Sequence, residues 1–280
     1  MKKSPNLTQS QGKYQESDIL ATLARGAGIA LILQILSAAY NYWLQVMLAR
    51  WMGVKEYGAY DYACTLGIFF GFLAGLGLPT AVLRFVSEYK AQQDWARLRG
   101  IIWGSWRQTF IVSLITATCG TIVLLLFDIS EYRFELILGI WTVPGIALAN
   151  LQQQIVRATR QLIIAYAPFL IVYPLLLLGV TFVWRTQQNL DSKSALLLSI
   201  ISLLVILGIQ LFIFKSKIAP EINSVRPIHE MLNWWKVSLP LMFIEGSYMI
   251  LSQTDTLMIG SMLGVKEVGM YSAALKTSVG

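Results

Sequence analysis

The sequence predicts an all-α integral membrane protein: a six-helix transmembrane lobe followed by the first one to two helices of a second, repeat-related lobe. Three observations carry this expectation. Hydrophobic residues make up 56% of the 280 residues and charged residues only 13%, against roughly 25% charged in an average soluble domain; the mean hydropathy is +0.59. Several apolar runs reach the roughly 20 residues that a helix needs to cross a hydrocarbon core. A segment beginning at Gly53 recurs beginning at Gly264, so the chain starts to repeat itself. A soluble core of this size could not bury so much apolar surface. The bilayer must act as part of the solvent, and helices satisfy their backbone polar groups within it.

In chain order, residues 1–25 form a polar tail in which Lys2, Lys3 and Lys13 lie among Gln, Ser and Asn. The tail lacks the short apolar core and small-residue cleavage site of a removable signal peptide. Spans follow at residues 28–49, 60–78, 109–127, 134–151, 163–184, 195–214 and 239–262, with the second reaching toward Phe85. An eighth begins near Met270 and stops at Gly280, too short to cross, which suggests a fragment of a longer transporter or a prematurely terminated reading frame. The first lobe thus occupies 26–214, a linker 215–237, and the start of the second lobe 238–280.

Net charge is +7 and the pI is near 9.4. In a soluble protein this would suggest nucleic acid, but most of the basic residues flank the spans, so no nucleic-acid partner is expected. On one side lie Lys2, Lys3, Lys13, Arg25, Arg84, Lys90, Arg97, Arg99, Arg107, Arg157, Arg160, Lys215, Lys217, Arg226 and Lys236. The other side carries Arg50, Lys55, Arg133, Arg185, Lys193 and Lys266. The positive-inside rule puts the richer side, and the N-terminus, in the cytoplasm. Cys64 and Cys119 lie in apolar segments without metal or disulfide spacing, and His229 sits in a polar loop.

Residues 85–99 mix aromatic, aliphatic and charged side chains without helix breakers, and read as one amphipathic segment at the cytoplasmic interface, an elbow for helix packing. Pro144, Pro168 and Pro174 fall inside spans, where kinks are expected.

Shifted by 211 residues, Gly53-Val-Lys-Glu-Tyr-Gly-Ala-Tyr-Asp-Tyr-Ala63 lies on Gly264-Val-Lys-Glu-Val-Gly-Met-Tyr-Ser-Ala-Ala274, with seven of eleven positions identical. Span seven repeats span one in the same orientation, which describes a parallel repeat of six-helix units. In span one, Gln34, Ser37, Asn41 and Gln45 share a helical face. At the same offset span seven has Glu245, Tyr248, Ser252 and Thr256, with Asp255 beside them.

Lipid cannot solvate these groups, so they face protein or trapped water, either lining a cavity or bonding neighbouring helices. A carboxyl in a low-dielectric cavity can exchange a proton or bind a small cation such as sodium, which makes Glu245 and Asp255 candidates for ion coupling. Asp61, at the repeat position of Ser272, reads as structural.

Several stretches carry a resemblance: Leu48-Ala-Arg-Trp-Met-Gly-Val-Lys-Glu-Tyr-Gly-Ala-Tyr60, Gly75-Leu-Gly-Leu-Pro-Thr-Ala-Val-Leu-Arg-Phe-Val-Ser-Glu-Tyr89, Asp255-Thr-Leu-Met-Ile-Gly260, and Gly264 with Val268-Gly-Met-Tyr271. Together they resemble the polysaccharide-biosynthesis branch of the multidrug/oligosaccharidyl-lipid/polysaccharide exporter superfamily, which contains O-antigen flippases. The resemblance extends over nearly the whole chain after the tail. It implies two six-helix lobes around a central cavity that opens alternately to either side, in a bacterial cytoplasmic (inner) membrane.

Under this resemblance the expected substrate is a lipid-linked oligosaccharide moved without covalent chemistry or cofactor, with other polysaccharide assembly proteins as partners. Relatives that move pyrophosphate-linked sugars often line the cavity with basic residues. Here the mid-membrane parts of the spans lack Arg and Lys, and Arg84, Arg107 and Arg157 toward the cytoplasmic ends are the candidates for pyrophosphate contact; membrane topology alone also accounts for them. A cation-coupled drug exporter of the sister branch is the alternative transport reading, with Trp43, Tyr40 and Tyr248 as aromatic lining. A nonfunctional or structural membrane fragment is another. An enzyme is disfavoured, because the longer connections at 85–108 and 215–237 offer no paired carboxylates, Gly-rich phosphate cradle or Ser/His/Asp set.

Overall fold

The computed structural model describes residues 7–127, 131–217 and 225–278, and among these it is helical with no strand. Lys2 and Lys3, and the side chains of Lys13, Arg25, Lys217 and Lys276, lie outside the described residues. By length and composition five helical spans can cross a membrane, or six when one bent pair counts as a span. The chain is a multi-pass membrane protein. Helix α1 (Leu7–Met52) starts within the polar stretch and ends at Gly53. Gly53 has φ 78°, and its repeat partner Gly264 has φ 109°. Both conformations favour a residue without Cβ, so the repeated Gly-Val-Lys-Glu encodes the same sharp helix-to-helix turn twice.

The second span is the bent one. Helices α2 (Val54–Ala74) and α3 (Leu78–Ala91) meet at 47°, across a break where Leu76 and Gly77 take positive φ. Pro79 then stands in the first turn of α3, where its missing N–H costs nothing. The predicted interfacial segment at 85–99 is not one element. Its first half completes α3, the chain reverses at Gln93 with φ 56°, and the rest opens α4 (Trp95–Leu126). Asp94 sets this start, its Oδ1 accepting from the Arg97 backbone N–H at 3.1 Å. Composition showed the amphipathic character, but the capping aspartate decides where the helix begins.

Span four is α5 (Arg133–Trp141) and α6 (Val143–Ala158), separated at Thr142 just before Pro144. Span five is α7 (Leu162–Ala167), a π-helical turn Pro168–Val172, and α8 (Tyr173–Gln187), so Pro168 and Pro174 both mark local changes of helix geometry. Span six is α9 (Ser192–Lys217). The seventh segment forms α10 (Met231–Met262), long enough to cross but interrupted by polar residues, and it is not among the apolar spans. Pro240 lies inside it, a kink residue absent from the sequence expectation. Helix α11 (Val265–Ser278) follows.

Two apolar clusters mark the ends of the lobe. One gathers Phe85, Leu98, Ile101, Ile155 and Trp234 at the end that carries Arg84, Arg97, Arg99, Arg107 and Arg157, called here the basic end. The other gathers Leu48, Tyr57, Leu136 and Leu196 at the opposite end, where the Ser192 N–H and hydroxyl also donate to Glu56 at 3.0 and 2.7 Å. The linker is pinned to α4 at the basic end. Arg97 Nε meets Glu230 Oε1 at 2.7 Å, Arg99 Nη1 donates to the Val225 carbonyl at 2.6 Å, and the Ile228 N–H to that of Ala96 at 3.1 Å. Hydrogen bonds from Asn233 and Arg97 hold the Glu230 carboxyl below the usual carboxylate range.

The repeat also appears as a contact. A Cβ on Gly58 would lie 1.8 Å from the Val265 carbonyl oxygen, and one on Gly269 would lie 2.3 Å from that of Val54. Residues 54 and 265, and residues 58 and 269, are equivalent under the 211-residue shift, so α2 and α11 touch through the same atoms in both directions. Asp61 and Ser272 are equivalent as well, and Ser272 Oγ donates to Asp61 Oδ2 at 2.6 Å. Such reciprocity is the mark of an approximate two-fold axis.

Gly58→Ala and Gly269→Ala should each destabilise the protein by about 1–3 kcal/mol, the usual range for overpacking. Gly179→Ala, where a Cβ meets nothing within 4 Å, should be neutral or slightly stabilising. Thermal unfolding in detergent measures all three, and a Gly58→Ala protein as stable as Gly179→Ala would show that the seam is not close-packed.

Candidate functional site

The break between α2 and α3 opens a cavity of about 240 Å³. Its walls are Gly71, Phe72 and Gly75 from α2, Gly77, Pro79 and Thr80 at the break, Ala147, Asn150 and Gln154 from α6, and Glu245 from α10. Gly77 brings α10 to this point. A Cβ there would lie 2.2 Å from the Ser238 carbonyl oxygen and 2.8 Å from the Met242 nitrogen, so only glycine lets α10 pass.

Glu245 is the acidic group of the cavity, half-buried, and Thr80 Oγ1 donates to its Oε1 at 2.6 Å. Asn150 and Gln154, four residues apart, present two amides on one face of α6. Gln154 Oε1 accepts from Arg157 Nη1 at 3.5 Å, and Arg157 also lies 5.7 Å over the Tyr166 ring. A carboxylate that accepts and amides that both donate and accept can hold a small polar or cationic group. The arrangement links the first lobe to the first helix of the second, with a polar path from Gln154 to Arg157 at the basic end.

Of the residues singled out from sequence, Glu245 is the one that lines this cavity. In span one, Gln34 is exposed, while Asn41 Nδ2 donates back to the Ser37 carbonyl at 2.9 Å and its hydroxyl at 3.1 Å. Gln45 Oε1 accepts from Tyr57 OH at 2.9 Å. In span seven, Tyr248 is 76% exposed, Ser252 is exposed and bonds the Met249 carbonyl at 3.0 Å, and Thr256 is buried. Asp255 accepts from Tyr271 OH at 2.9 Å and stands ten residues from Glu245, roughly 15 Å along the helix. The two carboxylates therefore do not share a site.

The three arginines are also separate: Arg84 is exposed 5.9 Å over the Phe85 ring, Arg107 lines a different groove, and Arg157 reaches the cavity through Gln154.

Sequence reasoning missed Thr80, Asn150 and Gln154. Their signal was present in the breaker cluster Gly75-Leu-Gly-Leu-Pro79 inside an apolar span, and in two amides at helical spacing on span four.

Thr80→Val should destabilise the protein by about 1–3 kcal/mol, because it strips the partner from a partly buried carboxylate. Thr80→Val with Glu245→Leu should recover much of that loss, since both partners are then apolar. Thermal unfolding of the two variants checks this, and a double variant less stable than Thr80→Val alone would contradict the pairing.

No curated protein and no solved structure matches the chain. Residues 23–279 match the family described as polysaccharide biosynthesis protein, a stretch that runs from within α1 through the first lobe, the seam and the cavity. The chain belongs to the polysaccharide biosynthesis protein family.

Proposed function

We propose that the chain serves the translocation of a lipid-linked oligosaccharide across the cytoplasmic membrane for surface polysaccharide biosynthesis, by alternating access and without covalent chemistry or cofactor. The basic end faces the cytoplasm in this reading, in keeping with the positive-inside rule. The observation that carries the reading is the polar cavity at the α2–α3 break, closed on one side by Glu245 of the second lobe. Family membership agrees with it.

At about 240 Å³ the cavity falls below the roughly 300–1,000 Å³ of small-molecule sites. An oligosaccharide head therefore requires the lobes to part. Hydrogen bonds oppose this. Asp61–Ser272 and Thr80–Glu245 cross the lobe boundary, and a typical hydrogen bond contributes a net of about 0.5–1.5 kcal/mol. Rocking of one lobe against the other would break them at small cost, and the lipid tail would stay in the bilayer throughout. Glu245 is the candidate for coupling to protons or sodium.

The test is an in-frame deletion in the native bacterium, with lipid-linked oligosaccharide and surface polysaccharide measured together. Lipid-linked glycan should accumulate while surface polymer falls, and the wild-type gene should restore both. Glu245→Gln should restore surface polymer far less well than Asp255→Asn at equal membrane abundance. Unchanged pools in the deletion strain would end the proposal.

A further inference from the structure

A second concavity, about 720 Å³ and mostly apolar, lies at the basic end between α4 and the linker. Arg107, Trp103 and Phe110 line it from α4, and Pro227 and His229 line it from the linker. Gly104 keeps the two apart by little, since a Cβ there would sit 3.1 Å from the Trp234 ring and 3.5 Å from His229 Nδ1. Arg99 lines the groove as well. Among the described residues no carboxylate does.

The position of Arg107 along α4 is informative. The helix has 32 residues, roughly 48 Å at 1.5 Å per residue, while the hydrocarbon core takes about 20 residues. Its far end is apolar and outward-facing, Leu126 being 74% exposed. Counting about 20 residues back from Leu126 places the hydrocarbon boundary at Arg107.

The same face of α4 is open to the bilayer around this arginine. Trp103 is 56% exposed, Phe110 47% and Ile111 48%, at four residues before and three and four after Arg107, hence on one helical face. Among the described residues Arg107 has no ion-pair partner. A guanidinium held on a lipid-facing stripe at this depth needs an anionic oxygen pair at headgroup level, and phosphate suits its planar fork.

We propose that this groove binds the phosphate headgroup of an anionic phospholipid. Arg107 contacts the phosphate, and an acyl chain lies along Trp103, Phe110 and Ile111. The site is independent of the translocation reading and lies apart from the Glu245 cavity. One of its walls is the linker that Arg97 and Glu230 hold to α4, so a bound lipid joins the first lobe to the segment leading into the second.

Native mass spectrometry of the purified chain, released from micelles holding equal phosphatidylglycerol and phosphatidylcholine, tests the assignment. The wild type should retain phosphatidylglycerol over phosphatidylcholine by about fivefold, the scale of one basic residue near an anionic surface. Arg107→Gln should bring the ratio near one, and Arg107→Lys should lower it in part. Lys90→Gln, an exposed charge at the same end outside the groove, should leave it unchanged. Absence of preference in the wild type, or equal loss in Lys90→Gln, would overturn the proposal. So would displacement of phosphatidylglycerol by undecaprenyl pyrophosphate at equal concentration, which would give the groove to a lipid pyrophosphate instead.

Discussion

Between helices in a bilayer there is little hydrophobic gain, because lipid tails are as apolar as leucine; association rests on how closely backbones can approach. The α2–α11 seam is where this constraint governs the molecule. Gly58 and Gly269 remove the side chains that would hold the helices apart, and carbonyl oxygens of Val54 and Val265 occupy the space. With α11 set against α2, α10 has little freedom, since only Leu263 and Gly264 separate the two helices. It must return beside α2 and α3. Gly77 admits it there, and Glu245 arrives opposite Thr80.

The seam and the cavity therefore depend on one another through a single helix. The polar contacts across the lobe boundary are also placed where repeat symmetry makes them self-complementary or where the backbone is already broken. Asp61 meets its own repeat equivalent, and Thr80 stands just after the Leu76–Gly77 irregularity. A helix break in a membrane exposes polar backbone, tolerated where protein or a water-filled cavity surrounds it. The glycines that permit the bend also leave the room that becomes the cavity.

Much of this was legible in the residues. The apolar runs showed the helices, and the 211-residue offset showed the repeat whose equivalents touch in the folded chain. Asp61 was readable as structural but not as the partner of Ser272, because an offset tells which residues are equivalent and not which are neighbours. The polar stripe of span one illustrates the same limit. Helical spacing puts Ser37 and Asn41 on one face, yet that spacing also lets Asn41 bond the turn before it, a local solution that competes with any role across a cavity. Thr80 escaped notice because a single threonine near a Gly and Pro cluster is ordinary until a carboxylate from 165 residues away closes on it.

Helix α10 itself is divided between the two lobes. Its first turns belong to the core of the first lobe, with Trp234 almost wholly buried and its Nε1 directed at Tyr89 OH at 3.4 Å. Beyond Pro240 the helix becomes more exposed and carries Glu245, Asp255 and the turn into α11. Proline donates no hydrogen bond to the carbonyl one turn earlier and presses its ring against that turn, so the helical ladder is weakest between the anchored part and the part that leads to the seam. A rigid α10 would force any movement of the seam to uproot Trp234 from a packed core. A helix weakened at Pro240 would let the segment bearing Glu245 tilt while Trp234 and the Arg97–Glu230 clamp stay in place. Glu245, the wall of the cavity that α10 supplies, would then sit on the moving side of the hinge, where a change in the cavity's contents could be felt by the rest of the second lobe.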